Sequence, residues 1–237
     1  MNEMIVKLSA KADGDMSRRF GSKLAENNRR QYLHKMGLQN RTLYYMDPEH
    51  ADHIAEIDVN KVQGSLATPG DAIILSGNER SLKQTAIVLI AADCIPMGIS
   101  AADSLSFGLA HLGWKSLNMH LAERFVKRYT ELNNLPLGQL SITIGPSIRK
   151  ESYIYPAPIR AADDSWKPFI HAVDGDNESL DPIGYLNACL AKVGISREQI
   201  FDCNEDTAAP NSPYFSHYQA TKNHTPDGRG MCLAYLA

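Results

Sequence analysis

The residues that most constrain the fold are 85–91, TAIVLIA, a nearly continuous β-branched and apolar run. It lacks the polar alternation of a half-exposed strand and is too short for a core helix. It therefore predicts a strand buried on both faces. Other strand-like segments surround it. Residues 72–75, 95–99 and 105–110 are apolar, with a turn expected at 100–103 between the last two. Residues 4–8, 43–46, 54–57, 142–144 and 231–236 complete the expected strands.

Helical periodicity appears in three places. Residues 24–36 carry Leu24, Tyr32 and Leu33 among charged and amide side chains, with Gly37 as a stop signal. The clearest stripe is Leu117, Leu121, Phe125 and Tyr129, widened by Val126, which predicts one helix over 117–129. A third helix is expected over 181–193, with Asp181 at the N-cap, Pro182 at N1 and Gly194 past the end. A loop should lead from there to the final strand. The expected class is α/β (mixed α+β): one domain over 1–237, with a central mixed β-sheet flanked by helices and a divergent segment at 1–23.

Composition narrows the function classes. The chain has 237 residues, 43% of them hydrophobic, and a net charge of -3. Neither a basic excess nor a basic stripe is present, which disfavours a nucleic-acid partner. No apolar run approaches the roughly 20 residues that cross a bilayer, and the N-terminal apolar stretch is too short for a signal peptide. The expectation is a cytoplasmic protein without a membrane partner. Cys94, Cys189, Cys203 and Cys232 are widely spaced and form no CxxC pair, which argues against a disulfide framework.

Three segments have chemical potential. Cys94 lies in ADCIP (92–96), where the chain leaves one strand for the next. His111 lies in AHLGWK (110–115), at a strand end just before a helix. A strand, a turn and an antiparallel return would bring these two together. His50 and His53 sit in a polar bend (47–53) before another strand. One cysteine and two histidines make a catalytic zinc set with one position left open. Zinc would deprotonate the thiol and acidify bound water. Copper takes the same ligands. Two other readings stand beside this one: a buried cysteine with a hydrogen-bonded histidine, and a Cys–His nucleophilic pair.

ADCIP followed by AHLGWK resembles the paired ADCLP and AHAGWRG motifs of the YfiH-like laccase-domain family. Its members are also described as multicopper polyphenol oxidases or as purine nucleoside phosphorylases of the YfiH type. Ile144–Ile148 with Tyr153, Asp181 through Gly194, Asp202–Asn204, Phe215–Ser216 with Gly228–Gly230, and Glu26, Asn28 and Arg29 are similar to further family stretches in the same order. The resemblance implies a zinc site with Cys94 and His111 as ligands. The first family histidine falls on His50, with His53 a close competitor. It also implies phosphorolysis of adenosine, inosine and methylthioadenosine, with adenosine deamination, and a monomer or small homo-oligomer. Lys115, Arg149 and Arg229 are the candidate holders of phosphate, because cations hold an anion best. Asp93 is a candidate for orienting a histidine or for capping a turn or helix.

Several positions depart from the family. Arg18–Gly21 is the nearest match to an N-terminal TRxGG stretch, Glu151–Ser152 replaces a small or cysteine pair, and Lys115 stands where arginine is usual. His217 and a long insert, 219–227, replace a shorter arginine-bearing loop, and His217 and His224 are expected on a mobile loop. Trp114 is expected to pack the strand–helix junction. The rivals to the phosphorylase reading are copper-dependent phenol oxidation and a catalytically weak metal-binding protein in peptidoglycan precursor editing.

Overall fold

The apolar runs assemble into two mixed sheets stacked face to face, with helices on the outer faces. The computed structural model describes residues 4–17, 23–102, 104–159 and 164–237; Arg18–Gly21 and the turn residue Asp103 lie outside them. In chain order the strands are β1 (Met4–Leu8), β2 (Thr42–Asp47), β3 (Ile54–Asp58), β4 (Leu66–Pro69), β5 (Ala72–Ser76), β6 (Thr85–Ala91), β7 (Ile95–Ala101), β8 (Ser106–Leu112), β9 (Leu140–Ile144), β10 (Ile154–Pro156), β11 (Ile170–Asp174), β12 (Asn177–Leu180), β13 (Ile200–Asp202) and β14 (Gly230–Leu236). The helices are α1 (Lys23–Lys35), α2 (Glu79–Lys83), α3 (Trp114–Asn118), α4 (Leu121–Asn133), α5 (Pro182–Lys192) and α6 (His217–Asn223).

One sheet has the order β1-β14-β6-β2-β4 and the other β13-β9-β7-β8-β5-β3. A small third sheet has the order β10-β12-β11. The continuous apolar run becomes β6, in the middle of the first sheet. Its side chains alternate between two cores, as a period of two requires. Ile87 and Leu89 face the inter-sheet core with Tyr44, Ile73, Leu75, Phe107 and Leu109. Ala86 and Val88 face the opposite way, onto Tyr32 and Leu33 of α1. Both faces are covered, so the run needs no polar residue. The outer face of the six-stranded sheet packs Met97, Ile99, Ala110 and Ile142 against α3, α4 and α5. The mixed α/β class is as expected.

The structure divides the expected sheet between two layers, and the division occurs at one short link. Residues 92–94 carry the chain from β6 in one sheet to β7 in the other, with Asp93 at φ 74. Hydrophobic pattern marks both strands but not their separation. The predicted helix over 117–129 is two helices. Leu117, Leu121, Phe125 and Tyr129 are all fully buried on one core, but His120 at φ 57 breaks the backbone between α3 and α4. Periodicity records which side chains face the core and not a single left-handed residue between them. Asp181 caps α5 as predicted, accepting the Gly184 N–H at 2.7 Å. The insert at 219–227, expected as loop, is helical through Asn223. This helix is held by caps, with Ser216 Oγ accepting the Gln219 N–H, and has no apolar stripe to announce it.

Phe125 contacts the sheet through a core with no exposed face. Phe125→Ala should lower the unfolding free energy by about 3–5 kcal/mol, measured by denaturant titration.

Candidate metal centre

Four strand ends of the six-stranded sheet meet at one edge of the fold. β7 and β8 form an antiparallel hairpin in which Pro96 opposes His111. Cys94, one residue before β7, therefore lies beside the end of β8. β5 pairs with β8 through Ala72 and Ala110, and β3 with β5 through Ile54 and Ala72. That register carries Asp71 and the 47–53 bend to the same edge. The ligating atoms of His50, Cys94 and His111 all lie within 4.8 Å of one another. The two imidazole rings stand edge to face, with centroids 4.9 Å apart.

A buried carboxylate that the sequence reading did not single out organises this group. Asp71 is fully buried. Its Oδ1 accepts the His111 Nδ1–H at 2.9 Å and the His50 backbone N–H at 3.0 Å. Its Oδ2 accepts the N–H groups of Glu49 and Ala51 at 3.1 and 2.8 Å. His50 has φ 56, an uncommon value for a non-glycine residue, and the N–H bonds that residues 49–51 donate to Asp71 hold it there. Because a carboxylate only accepts, Nδ1 of His111 carries the proton and Nε2 is left for a ligand. The cue in sequence was slight: an aspartate between Gly70 and a short apolar strand.

Cys94 and His111 polarise each other. Burial alone would push the Cys94 thiol up, but the imidazoles of His111 and His50 outweigh it and bring the pKa to about 6. Burial would likewise lower His111, but Cys94 and Asp71 outweigh it and raise the pKa to about 9. The donor set therefore favours a thiolate beside an imidazolium, and a metal held here would displace the proton of His111. Gly113 keeps the space open, since a Cβ at that position would sit 3.3 Å from Cys94 Sγ. Two imidazoles and a thiolate on a carboxylate-anchored frame fit zinc. Among the described residues this is the one group of three such ligands so placed.

His50 and Cys94 line a cleft of about 800 Å3. One wall is aromatic. Tyr153, Tyr155 and Tyr218 form a triangle with ring centroids 5.2 to 5.5 Å apart. Trp114, expected to pack the strand–helix junction, is instead 46% exposed and lines the cleft. Its indole is the base on which the Lys115 ammonium rests, 5.8 Å from the ring centroid. Lys115 and Lys222 both line the cleft, and neither has a carboxylate partner among the described residues.

The remaining sequence candidates are placed elsewhere or differently. His53 lies away from the pair, in a second open groove with Arg124 and Arg128. Arg149 does not line the cleft. Its guanidinium is buried and grips both oxygens of Asp202 at 2.7 and 2.8 Å. Arg229 is clamped to Asp227 and does not line the cleft either. Among the described residues Asp93 hydrogen-bonds neither His50 nor His111. It accepts from Thr207 Oγ1 at 2.6 Å, Ser216 Oγ at 3.1 Å and the Tyr218 N–H at 2.7 Å, so it caps α6 from the link between β6 and β7. His217 lies on α6, not on an irregular loop, and lines the cleft. His224 is the C-cap of α6 and does not. Cys189 and Cys232 are buried, and Cys203 stands outside the cleft. No helix among the described residues is long and apolar enough to cross a membrane.

A model of the family described as multi-copper polyphenol oxidoreductase laccase matches residues 18–237. A purine nucleoside phosphorylase of Xylella fastidiosa is 23% identical over 217 residues, which are 89% of this chain and 78% of that protein. Another, of Rickettsia conorii, is 25% identical over 159 residues. That match covers 63% of this chain and 64% of the Rickettsia protein, just under two thirds of its length. The crystal structure of YlmD from Geobacillus stearothermophilus has the same fold, with a TM-score of 0.80, 18% identity, and coverage of 98% of this chain and 92% of that one.

Asp71→Asn keeps the size of the side chain but removes its charge and one acceptor oxygen. It should weaken zinc affinity by about 10–100-fold in a chelator-competition titration. It should also lower the unfolding free energy by about 1.5–3 kcal/mol, the contribution of hydrogen bonds to a charged group.

Proposed function

The chain belongs to the multi-copper polyphenol oxidoreductase laccase family, and on that premise we propose that it is a zinc-dependent purine nucleoside phosphorylase. The observation that carries the reading is the His50–Cys94–His111 group opening on an aromatic cleft with two lysines that have no carboxylate partner among the described residues. The names of the curated relatives agree with it. His50, Cys94 and His111 are the zinc ligands, Asp71 fixes the tautomer of His111, and Gly113 leaves the ion its room. Zinc held by three protein ligands keeps a position free and supplies Lewis acidity there.

The other roles fall to this chain's own side chains. Tyr153, Tyr155, Tyr218 and Trp114 offer ring faces to a planar base. Lys115 and Lys222 are the cations that face a phosphate in the cleft. Arg149 and Arg229 are committed to Asp202 and Asp227 and support loops instead. Adenosine deamination is proposed as a second reaction of the same cleft, since a planar purine and a Lewis acid are its requirements too. Copper suits the same ligands. Oxidation by several copper centres would need more ligand groups than the one group of three found among the described residues.

Purified wild-type protein should carry roughly one zinc per chain by elemental mass spectrometry. Cys94→Ala and His111→Ala should lose it. The zinc-loaded protein should convert inosine to hypoxanthine only when phosphate is present, and chelation should abolish the reaction. A metal-free wild type, prepared without chelators, would overturn the zinc assignment. A zinc-loaded protein that turns over no nucleoside would overturn the activity.

A further inference from the structure

The cleft contains a second histidine–carboxylate arrangement, separate from the metal ligands. His217 is the first residue of α6 and lines the cleft. Its Nδ1 lies 3.0 Å from Asp227 Oδ2. Asp227 is fixed in turn by Arg229, whose guanidinium binds both of its oxygens. Arg229 is anchored at its backbone, where its N–H donates to Asp15 Oδ1 at 2.8 Å. Arg229 Nη2 also lies 3.5 Å from His217 Nδ1, too far for a strong bond. A carboxylate on Nδ1 fixes the proton there and leaves Nε2 as the working nitrogen. No described residue hydrogen-bonds Nε2 of His217. The charged groups facing the ring are Asp227, Arg229 and Asp93, whose buried carboxylate feels the charge of His217.

We propose that His217, held by Asp227, is the general acid that protonates the departing purine. The proposal rests on the phosphorylase reading above and names a residue that reading leaves without a role. In the step, a phosphate oxygen bonds to the anomeric carbon as the carbon–nitrogen bond to the base breaks. The electron pair of that bond goes to the purine, and Nε2 of His217 gives its proton to a ring nitrogen of the base. Hydrogen phosphate loses its own proton on becoming the sugar phosphate. That proton returns to the imidazole through water, so protons balance over the cycle. Asp227 stabilises the imidazolium before transfer and keeps the ring oriented after it.

The test compares two nucleosides. Inosine needs a proton on its leaving base, whereas 7-methylinosine already carries a positive ring and departs without one. His217→Gln should lower kcat on inosine by about 100-fold or more, the usual contribution of general acid catalysis. Turnover of 7-methylinosine should fall far less than that of inosine, and zinc content should stay at the wild-type level. Asp227→Asn, which keeps the ring but removes its anionic anchor, should show the same selectivity to a smaller degree. Equal losses on both nucleosides in both variants would overturn the proposal and leave His217 a wall of the cleft. A zinc-loaded wild type inert toward both nucleosides would overturn this proposal together with the phosphorylase reading, which separates the two failures.

Discussion

The site depends on the burial of one carboxylate. Asp71 has no exposed surface, and an ionised carboxylate in that position is tolerable only with its lone pairs filled. Three backbone N–H groups and one imidazole N–H fill them. The same bonds bend the 49–51 segment around the carboxylate and hold His50 at a backbone angle it would rarely adopt in a free loop. Stability and chemistry are thus coupled at one residue. The group that satisfies Asp71 is the group that places two of the three candidate ligands.

Asp93 plays a matching part for the opposite wall. Its left-handed backbone passes the chain from one sheet to the other and delivers Cys94 to the hairpin edge. Its side chain reaches more than a hundred residues along the sequence to cap α6, which carries His217, Tyr218 and Lys222. The thiolate and the aromatic, cationic wall are therefore positioned by neighbouring atoms of a single residue. The two aspartates divide the work: Asp71 holds the histidine side of the cleft and Asp93 the side formed by the C-terminal segment.

The distribution of arginine and lysine follows from the same geometry. A guanidinium is suited to a bidentate partner, and both Arg149 and Arg229 have found one in Asp202 and Asp227. The lysines that line the cleft have no such partner among the described residues; Lys115 rests on the Trp114 ring and Lys222 on that of Tyr218. Arg229 still reaches the cleft indirectly, because the carboxylate it fixes is the one that holds His217.

Much of this was written in the sequence. The run at 85–91, the stripe of Leu117, Leu121, Phe125 and Tyr129, and the Asp181–Pro182 helix start are local patterns, and local patterns survive folding because burial and capping act on neighbouring residues. The Cys94–His111 pair was legible for a related reason, since a short antiparallel hairpin fixes the distance between its ends. The tertiary structure alone decided the rest. It set His50, and not His53, beside Cys94 and His111, brought in Asp71, left Arg149 and Arg229 off the lining of the cleft, and folded α6 beneath a cap supplied by Asp93. Each of these depends on which strand lies beside which, or on a hydrogen bond between residues remote in the chain. Periodicity and motif spacing carry no record of such contacts, because a carboxylate's partners are set by the packing of sheets and not by its neighbours in sequence.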